Sequence, residues 1–560
     1  LRPQWAARAR RLATPPLFSV IWLPEPGDAT TPDEVCAALA RQSYGHWELL
    51  TDQPSRRGAP DPRLRSQPSP AGDAGTGVRF DALLAQARGE YVLWLRGGDR
   101  LAAPHALLFF AEAAEHFDQP PLIYADEDGI DAHGRRHSPW FKCGWNQELQ
   151  RSTHYLGHAY ALRTELARRA GGLRGLPAAA GEQVLVLRAC DARPRQPAVH
   201  LPHLLLQRPA PRGQRLDLAA PGTPQQAQAM LEYLHERGIP AHAQPSAEGG
   251  LRLRYALPSP APLVSLVVPT RNGLAVLRQC IDSVLQRTTY PNYEVLIVDN
   301  GSDDPQTLAY LRDIAADPRV RVRRDDRPFN FAALNNHALP ECRGSLIGLL
   351  NNDTEVISPE WLDEMVGLAC RPDVGAVGAR LWFGNQTLQH AGVVIGMGGW
   401  AGHLHLGLPR DDPGDAGRAR LAQEFSAVTA ACLLLRREVF EAVGGLDEQH
   451  LAVDLNDVDL CLKVREAGYR IVWTPFAELF HHESISRGKA VRPEQVARLA
   501  AERQCFARRW AHWLATDPAF HPALSWRHTR PVMNPEWQPD LGQAWRRGPV
   551  AASADATAPA

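Results

Sequence analysis

Three acidic positions and a pair of histidines carry the residue types that could do chemistry in this chain. Asp353 lies within the run LLNNDTEV (349–356), Asp457 and Asp459 open NDVDLCLKVREAGY (456–469), and His481 adjoins His482 in FHHESISRG (480–488). Asp353 follows GSLIGLL (344–350), a continuous apolar run of the kind that makes a strand covered on both faces. Its polar exit then falls at the carboxyl edge of a parallel sheet, where open α/β sheets bind ligands. A carboxylate there can hold a divalent cation against a diphosphate, and histidine is a common partner ligand. Taken alone, Asn-Asp-Thr reads equally well as a turn bonded to its own backbone, and the histidines as a core or surface pair.

Other loops converge with Asp353 if one sheet delivers them to the same edge. PTRNG (269–273) follows the strand LVSLVV, and its backbone and Asn272 could face a nucleotide; an ordinary βα turn is the plain alternative. In IVDNGSDD (297–304), Asp299 ends a strand and could accept the imide N–H of a uracil or thymine ring, although Asp-Asn-Gly-Ser also suits a helix N-cap. The segment from 455 to 469 reads as a helix with an apolar stripe at Val458, Cys461, Leu462 and Val464. Acids in a first turn usually serve the helix dipole, yet Asp457 or Asp459 could deprotonate a hydroxyl nucleophile.

The elements that must position these residues occur twice, about 250 residues apart, a domain-sized spacing. PLFSVIWLP (16–24) answers PLVSLVVP (262–269), YGHWELLTD (44–52) answers YPNYEVLIVD (290–299), RGEYVLWL (88–95) answers RGSLIGLL (343–350), and LRTELARRAGGL (162–173) answers LRREVFEAVGGL (435–446). Apolar strands alternate with amphipathic helices such as VLRQCIDSVLQRT (276–288) in each half, the sign of α/β domains with mostly parallel sheets. The expected organisation is a first α/β domain over 1–204, a connector over 205–256, a second domain over 257–490, a helical and Trp-rich extension over 491–548, and a disordered tail over 549–560. Alignment of the copies sets Gly98 against Asp353, so the first copy lacks that carboxylate. Near the base position it offers only Glu182, although the acidic run DEDGID (126–131) remains.

At 560 residues the chain is too long for one core. Its 61 basic and 62 acidic side chains, net −1, provide no global field toward nucleic acid or acidic lipid. Nine scattered cysteines without a C-x-x-C pair signal neither a disulfide framework nor a zinc knuckle, which suits a reducing cytosol. No run approaches ~18 apolar residues, and the start, LRPQWAARARRLATPP, lacks a signal core. A soluble or peripheral protein is expected; the chain begins without Met, which leaves room for an upstream segment.

PLVSLVVPTRNG, YEVLIVDNGSDD, LLNNDTEV, AVGGLDE, NDVDLCLKVREAGYRIVWTP and HHESISRG, in this order and spacing, resemble the family 2 glycosyltransferases of bacteria, nearest to rhamnosyltransferase-like enzymes of surface-polysaccharide (O-antigen) assembly. The resemblance is strong over roughly 260–490, and QHAGVVIG (389–396) with AGHLHLGLPRDDPG (401–414) looks like an insertion of that subgroup. It is weaker over 16–205, which looks like a degenerate second copy.

The resemblance implies two tandem GT-A (Rossmann-like) domains, a Mg2+ or Mn2+ ion, a nucleotide-sugar donor (UDP- or dTDP-linked) and inverting transfer by direct displacement. Carried onto this chain, it puts Asp353 with His481 or His482 at the metal, Asp457 as general base, and Pro269, Thr270, Asn272, Asp299, Asn335 and Asn352 at the nucleotide. Asp459, His390 and Trp400 fall at the acceptor or behind the first contacts. Asn456 stands where Glu is usual and Asn351 where the first Asp of a D-x-D motif often stands, so the metal would rest on Asp353 plus a histidine, His481 by its spacing to Ser486. Direct displacement puts base and leaving group on opposite faces of the sugar, with no covalent enzyme intermediate.

The acceptor implied is a glycan, lipid-linked in this family, which would place a cytoplasmic protein at the inner-membrane face. Trp510, Trp513, Trp526, Trp537 and Trp545 with Arg508, Arg509, Arg546 and Arg547 could form an interfacial patch, or the tryptophans could pack the tail onto the second domain. Two other functions remain open on sequence alone. One is a non-catalytic glycan- or nucleotide-binding scaffold; the other, a metal-dependent nucleotidyltransferase, fits PTRNG poorly as a phosphate loop.

Overall fold

A computed structural model describes residues 2–545 except 26, 56–60, 68–74, 195, 197, 212–219 and 483–491. Two sheets share one strand order. From edge to edge the first runs Leu64–Ser66, Trp47–Thr51, Phe18–Leu23, Tyr91–Arg96, Tyr160–Arg163, Leu122–Ile130, Val199–Pro209 and Arg100–Leu101. The second runs Val320–Arg324, Tyr293–Asp299, Val264–Thr270, Leu346–Leu350, Cys432–Arg436, Val374–Trp382, Arg470–His481 and Thr354–Val356. In both, the first four strands are parallel, the fifth is antiparallel to its neighbours, and the last two pair antiparallel.

The duplication extends to the buried polar groups. Ser19 Oγ donates to Glu48 at 2.7 Å and accepts Gly89 N–H at 2.9 Å; Ser265 Oγ donates to Glu294 at 2.6 Å and accepts Gly344 N–H at 2.8 Å. Tyr44 and Tyr290 each bond the carbonyl before the first strand, Pro16 and Pro262, at 2.6 Å. Both glycines are dictated by close approach, since a Cβ at Gly89 would lie 2.4 Å from the Leu17 carbonyl oxygen and one at Gly344 2.5 Å from that of Leu263. That is why Arg-Gly precedes the fourth strand of each sheet.

Apolar side chains from both faces of each sheet form the cores, and a helix such as Leu274–Arg287 buries the stripe Val276, Leu277, Cys280, Ile281 and Val284 against the second. The first sheet ends later than the sequence suggests: its strand Val199–Pro209 runs five residues past the expected boundary at 204, because 206 and 207 pair with 101 and 100. The connector then forms helix Pro224–Glu236, started by a Thr223–Gln226 capping box, and a hairpin of Ala241–Pro245 with Leu251–Tyr255.

The halves meet through buried charge. Glu148 is ringed by Arg151 at 3.1 Å, Arg371 at 2.8 Å and Arg470 at 3.6 Å, and these cations overcome burial to hold its carboxyl far below the usual range. Past the undescribed 483–491, helix Pro493–Arg509 lies on the second half, and the tail returns to the first. There His521 reaches Asp126 at 2.8 Å and Trp545 stacks on His116 at 4.2 Å. Trp510 and Trp513 are buried, and Trp526 and Trp537 are partly buried against the same core, so these tryptophans pack the tail onto the protein. Arg546, Arg547 and the tail over 549–560 lie outside the described residues. Among the described residues no helix is long and apolar enough to cross a membrane.

Candidate active site

The strand Leu346–Leu350 delivers Asn351, Asn352 and Asp353 to the carboxyl edge of the second sheet, and Thr354–Val356 then turns back to pair with the end of Arg470–His481. That ladder sets His481 opposite Thr354, and His481 Nε2 comes to 3.1 Å from Asp353 Oδ1. Side chains alternate along a strand. His482 therefore points elsewhere: its ring reaches Glu355 at 3.2 Å, and only its backbone N–H meets the Asp353 carbonyl, at 2.8 Å.

His481 is oriented from behind. Its Nδ1 lies 2.7 Å from Gln389 Oε1, and Asn351 Nδ2 donates toward its Nε2 at 3.1 Å. Asp353 and His481 are both largely buried, with a carboxylate oxygen and an imidazole nitrogen side by side, a donor set suited to Mn2+ and less to Mg2+, which prefers oxygen alone. The residues present therefore fit a divalent cation.

The loops expected at a nucleotide are stitched to one another. Asn352 Nδ2 donates to Thr270 Oγ1 at 2.9 Å, which ties the Asp353 loop to the strand that also carries Pro269. Asn272, at a left-handed φ of +52°, accepts the N–H groups of Asp303 and Asp304, both at 3.1 Å, and donates to Asp303 at 2.8 Å. Its amide joins two loops and is not aimed at a ligand. Asp299 is buried, with Oδ1 on Ser302 N–H at 3.0 Å and Oδ2 on Arg324 at 2.8 Å. A base would have to displace Arg324 to reach that oxygen. Asn335 sits inside helix Phe331–Ala338, bonded back to the Phe331 carbonyl at 2.8 Å, with no opening to a nucleotide.

Asp457 opens helix Asn456–Glu466 after Leu455, whose φ of +58° turns the chain into the helix. The turn before Cys432–Arg436 links it to the Asp353 loop: Ala430 N–H donates to Asp457 Oδ2 at 3.0 Å, and Asn351 N–H to the Ala431 carbonyl at 3.1 Å. Asp457 is half-buried. Asp459, one turn in, is fully buried and committed to Arg509 at 2.7 Å, Trp510 Nε1 at 2.9 Å and Lys463 at 3.3 Å, so it anchors the C-terminal helix and is closed to an acceptor. That helix also holds the loop before Asp457, with Glu502 accepting Asp454 N–H at 2.7 Å and Arg509 pairing with Asp447 at 2.7 Å.

His390 lies beside Gln389 on the strand behind His481, and Trp400 lies in the hairpin that follows. His390 is fully buried against His403, their Nδ1 atoms 3.3 Å apart; burial, with His403 and His481 nearby, holds its ring well below the usual imidazole range, hence neutral. Trp400 sits at a hairpin tip whose neighbours are Leu514 and Trp526. Gln389, one residue before His390, is what touches His481; alternation along the strand was the signal for it.

The matching site in the first half is filled by its own side chains. A Cβ on Gly98 would lie 2.4 Å from Pro209 Cγ. Arg208 takes the place of His481 and pairs with Glu127 at 2.8 Å, Asp99 pairs with His158 at 2.9 Å, and Glu182 is held by Arg96 and by His154 at 3.1 Å. The acidic run is consumed likewise: Glu127 by Lys142 at 3.0 Å, Asp128 by Arg136 at 2.5 Å, Asp131 by Arg135 at 2.9 Å. Among the described residues Asp126, His200 and His521 bring three potential ligand atoms within 4.8 Å of one another. Yet His521 Nδ1 accepts Ala523 N–H at 3.0 Å, which leaves the proton on Nε2, facing Asp126. That cluster is a hydrogen-bonded junction.

Residues 265–444 match Glycosyl transferase family 2. The chain is 39% identical over 554 residues to the uncharacterized protein y4gI of Sinorhizobium fredii, covering 94% of this chain and 60% of that protein. It is 37% identical over 537 residues to the O-antigen biosynthesis protein RfbC of Myxococcus xanthus, covering 92% and 41%. Over 214 residues it is 40% identical to the N-acetylglucosaminyl-diphospho-decaprenol L-rhamnosyltransferase of Mycobacterium tuberculosis, covering 35% of this chain and 68% of that one. A solved mannosyltransferase of Pyrobaculum calidifontis, in complex with GDP-Man and Mn2+, is 17% identical with a TM-score of 0.32, covering 45% of this chain and 70% of that chain. The chain belongs to glycosyl transferase family 2. It spans 60% and 41% of the lengths of the first two relatives.

Proposed function

We propose that the second half is an inverting glycosyltransferase that moves a sugar, rhamnose among the candidates, from a UDP- or dTDP-linked donor to a hydroxyl of a growing surface glycan. The observation that carries this reading is the pairing of Asp353 with His481, 3.1 Å apart at the carboxyl edge, joined through the Ala430–Ala431 turn to Asp457. Family membership supports transfer from an activated sugar, and the names of the relatives from Myxococcus and Mycobacterium support O-antigen-like acceptors and rhamnose.

In this reading Asp353 and His481 hold a Mn2+ or Mg2+ ion. Bound there, the cation would supply neutralising charge to the diphosphate as it leaves. Asn352 and Thr270 keep the Asp353 loop in place. Asp457, its carboxylate fixed by Ala430 N–H, takes the proton of the acceptor hydroxyl as the new bond forms, worth roughly 10²- to 10⁴-fold in rate. The first half is a structural partner without a donor site, its cleft occupied by Pro209, Arg208 and His158. A lipid-linked acceptor would bring the protein to the cytoplasmic face of the inner membrane.

The test is a panel of UDP-, dTDP- and GDP-sugars with Mn2+, scored by nucleotide release and by the anomeric configuration of any product. Release from at least one donor with inverted product is expected. Binding of nucleotide without any turnover would instead favour the scaffold reading.

A further inference from the structure

We propose that Gln389 is the positioning residue that turns His481 into a cation ligand, by fixing which ring nitrogen carries the proton. This rests on the reading that Asp353 and His481 share a divalent cation. Gln389 is 3% exposed and makes two contacts with the same histidine. One amide atom lies 3.3 Å from the His481 backbone carbonyl, which can only accept, so that atom is the Nε2 donor. The other, Oε1, is thereby aimed at His481 Nδ1, 2.7 Å away, and a carbonyl oxygen can only accept in turn. Nδ1 must carry the hydrogen. The neutral form of the ring has one N–H, so in that form Nε2 keeps its lone pair, on which the Asn351 amide lies at 3.1 Å and beside which Asp353 Oδ1 lies at 3.1 Å.

The backbone of Gln389 is itself held. His403 Nδ1 is 2.9 Å from the Gln389 carbonyl oxygen, which joins the hairpin Val393–Ile395/Ala401–His403 to the strand behind the site. The junction at Asp126 shows the opposite outcome from the same residue types. There a backbone N–H occupies Nδ1 of His521, the proton sits on Nε2, and the ring donates to the carboxylate. What separates a ligand histidine from a structural one in this chain is the group behind Nδ1: an acceptor at His481, a donor at His521.

The experiment uses the full chain labelled with 15N-histidine. Long-range 1H–15N spectra without metal read the His481 tautomer, assigned with His481→Ala, and Mn2+ paramagnetic resonance titration reads affinity. An Nδ1–H tautomer is expected in the wild type. Gln389→Leu should lose about 10- to 100-fold in Mn2+ affinity, the range for removing a partner behind a ligand. Gln389→Glu, which keeps an acceptor at Nδ1, should stay within ~10-fold of wild type. If Gln389→Leu fails to fold, Gln389→Met takes its place, and the wild-type tautomer stands as a test by itself. An Nε2–H tautomer in the wild type, or unchanged Mn2+ binding in Gln389→Leu while Asp353→Ala abolishes it, overturns the proposal. Unchanged binding in Asp353→Ala and His481→Ala overturns instead the cation reading beneath it.

Discussion

Arg208 occupies in the first half the ladder position that His481 occupies in the second: Gln207 pairs with Arg100 as Phe480 pairs with Glu355, and the next residue in each strand faces the site. The guanidinium pairs with Glu127, whereas the imidazole lies beside Asp353. The two halves keep one frame, with a guanidinium in the first at the place of an imidazole in the second.

Gly98→Ala separates structure from activity. The added methyl meets Pro209, so the first half should lose about 1–3 kcal/mol, the usual cost of overpacking. Sugar transfer per folded molecule should stay at the wild-type rate. Thermal unfolding and a transfer assay on the same preparation check both; a large loss of turnover in the folded variant would return catalysis to the first half.

The two aspartates of the helix at 456–466 should fail in different ways. Asp457→Asn keeps the fold and lowers transfer roughly 10²- to 10⁴-fold. Asp459→Asn weakens the carboxylate's bonds to Arg509, Trp510 and Lys463 and should cost about 1–3 kcal/mol in stability, with a smaller effect on rate. Equal rate losses from the two substitutions would count against Asp457 as the base.

Much of this was legible before any coordinates. The repeated strand motifs, the helix stripe at 458–464 and the polar exit at Asp353 follow from local periodicity, and all lie on the elements they imply. What was not legible depends on ladders between distant short strands. Pairing of 100–101 with 206–207 extended the first domain past 204 and brought Pro209 over Gly98. The strand Leu388–His390 sent Gln389, not His390, to His481. Asn272 and Asp459 carry the residue types of a site, but their hydrogen bonds are taken up inside the protein, and Asn335 is buried with its amide N–H turned back onto its own helix.

Acid should loosen the first half early. Burial alone would raise the carboxyls of Glu127 and Glu182, but Lys142 and Arg208 around the first, and Arg96 and His154 around the second, hold each down to about 2. Depressed folded values mean stabilisation that is complete above the unfolded carboxylate range and is lost as pH falls through it toward about 2. Calorimetry should therefore show a midpoint nearly constant from neutral pH to about pH 5 and declining steadily below about pH 4. A midpoint unchanged at pH 3 would show that these carboxylates are not ionised partners.

The account turns on whether Asp353 and His481 serve one cation, and cation-dependent nucleotide release tests that most directly. With a donor that the wild type uses, release should require Mn2+ or Mg2+, stop in excess chelator, and be abolished by Asp353→Ala and by His481→Ala in variants that unfold at the wild-type temperature. Undiminished release in chelator, or by folded Asp353→Ala, would contradict it.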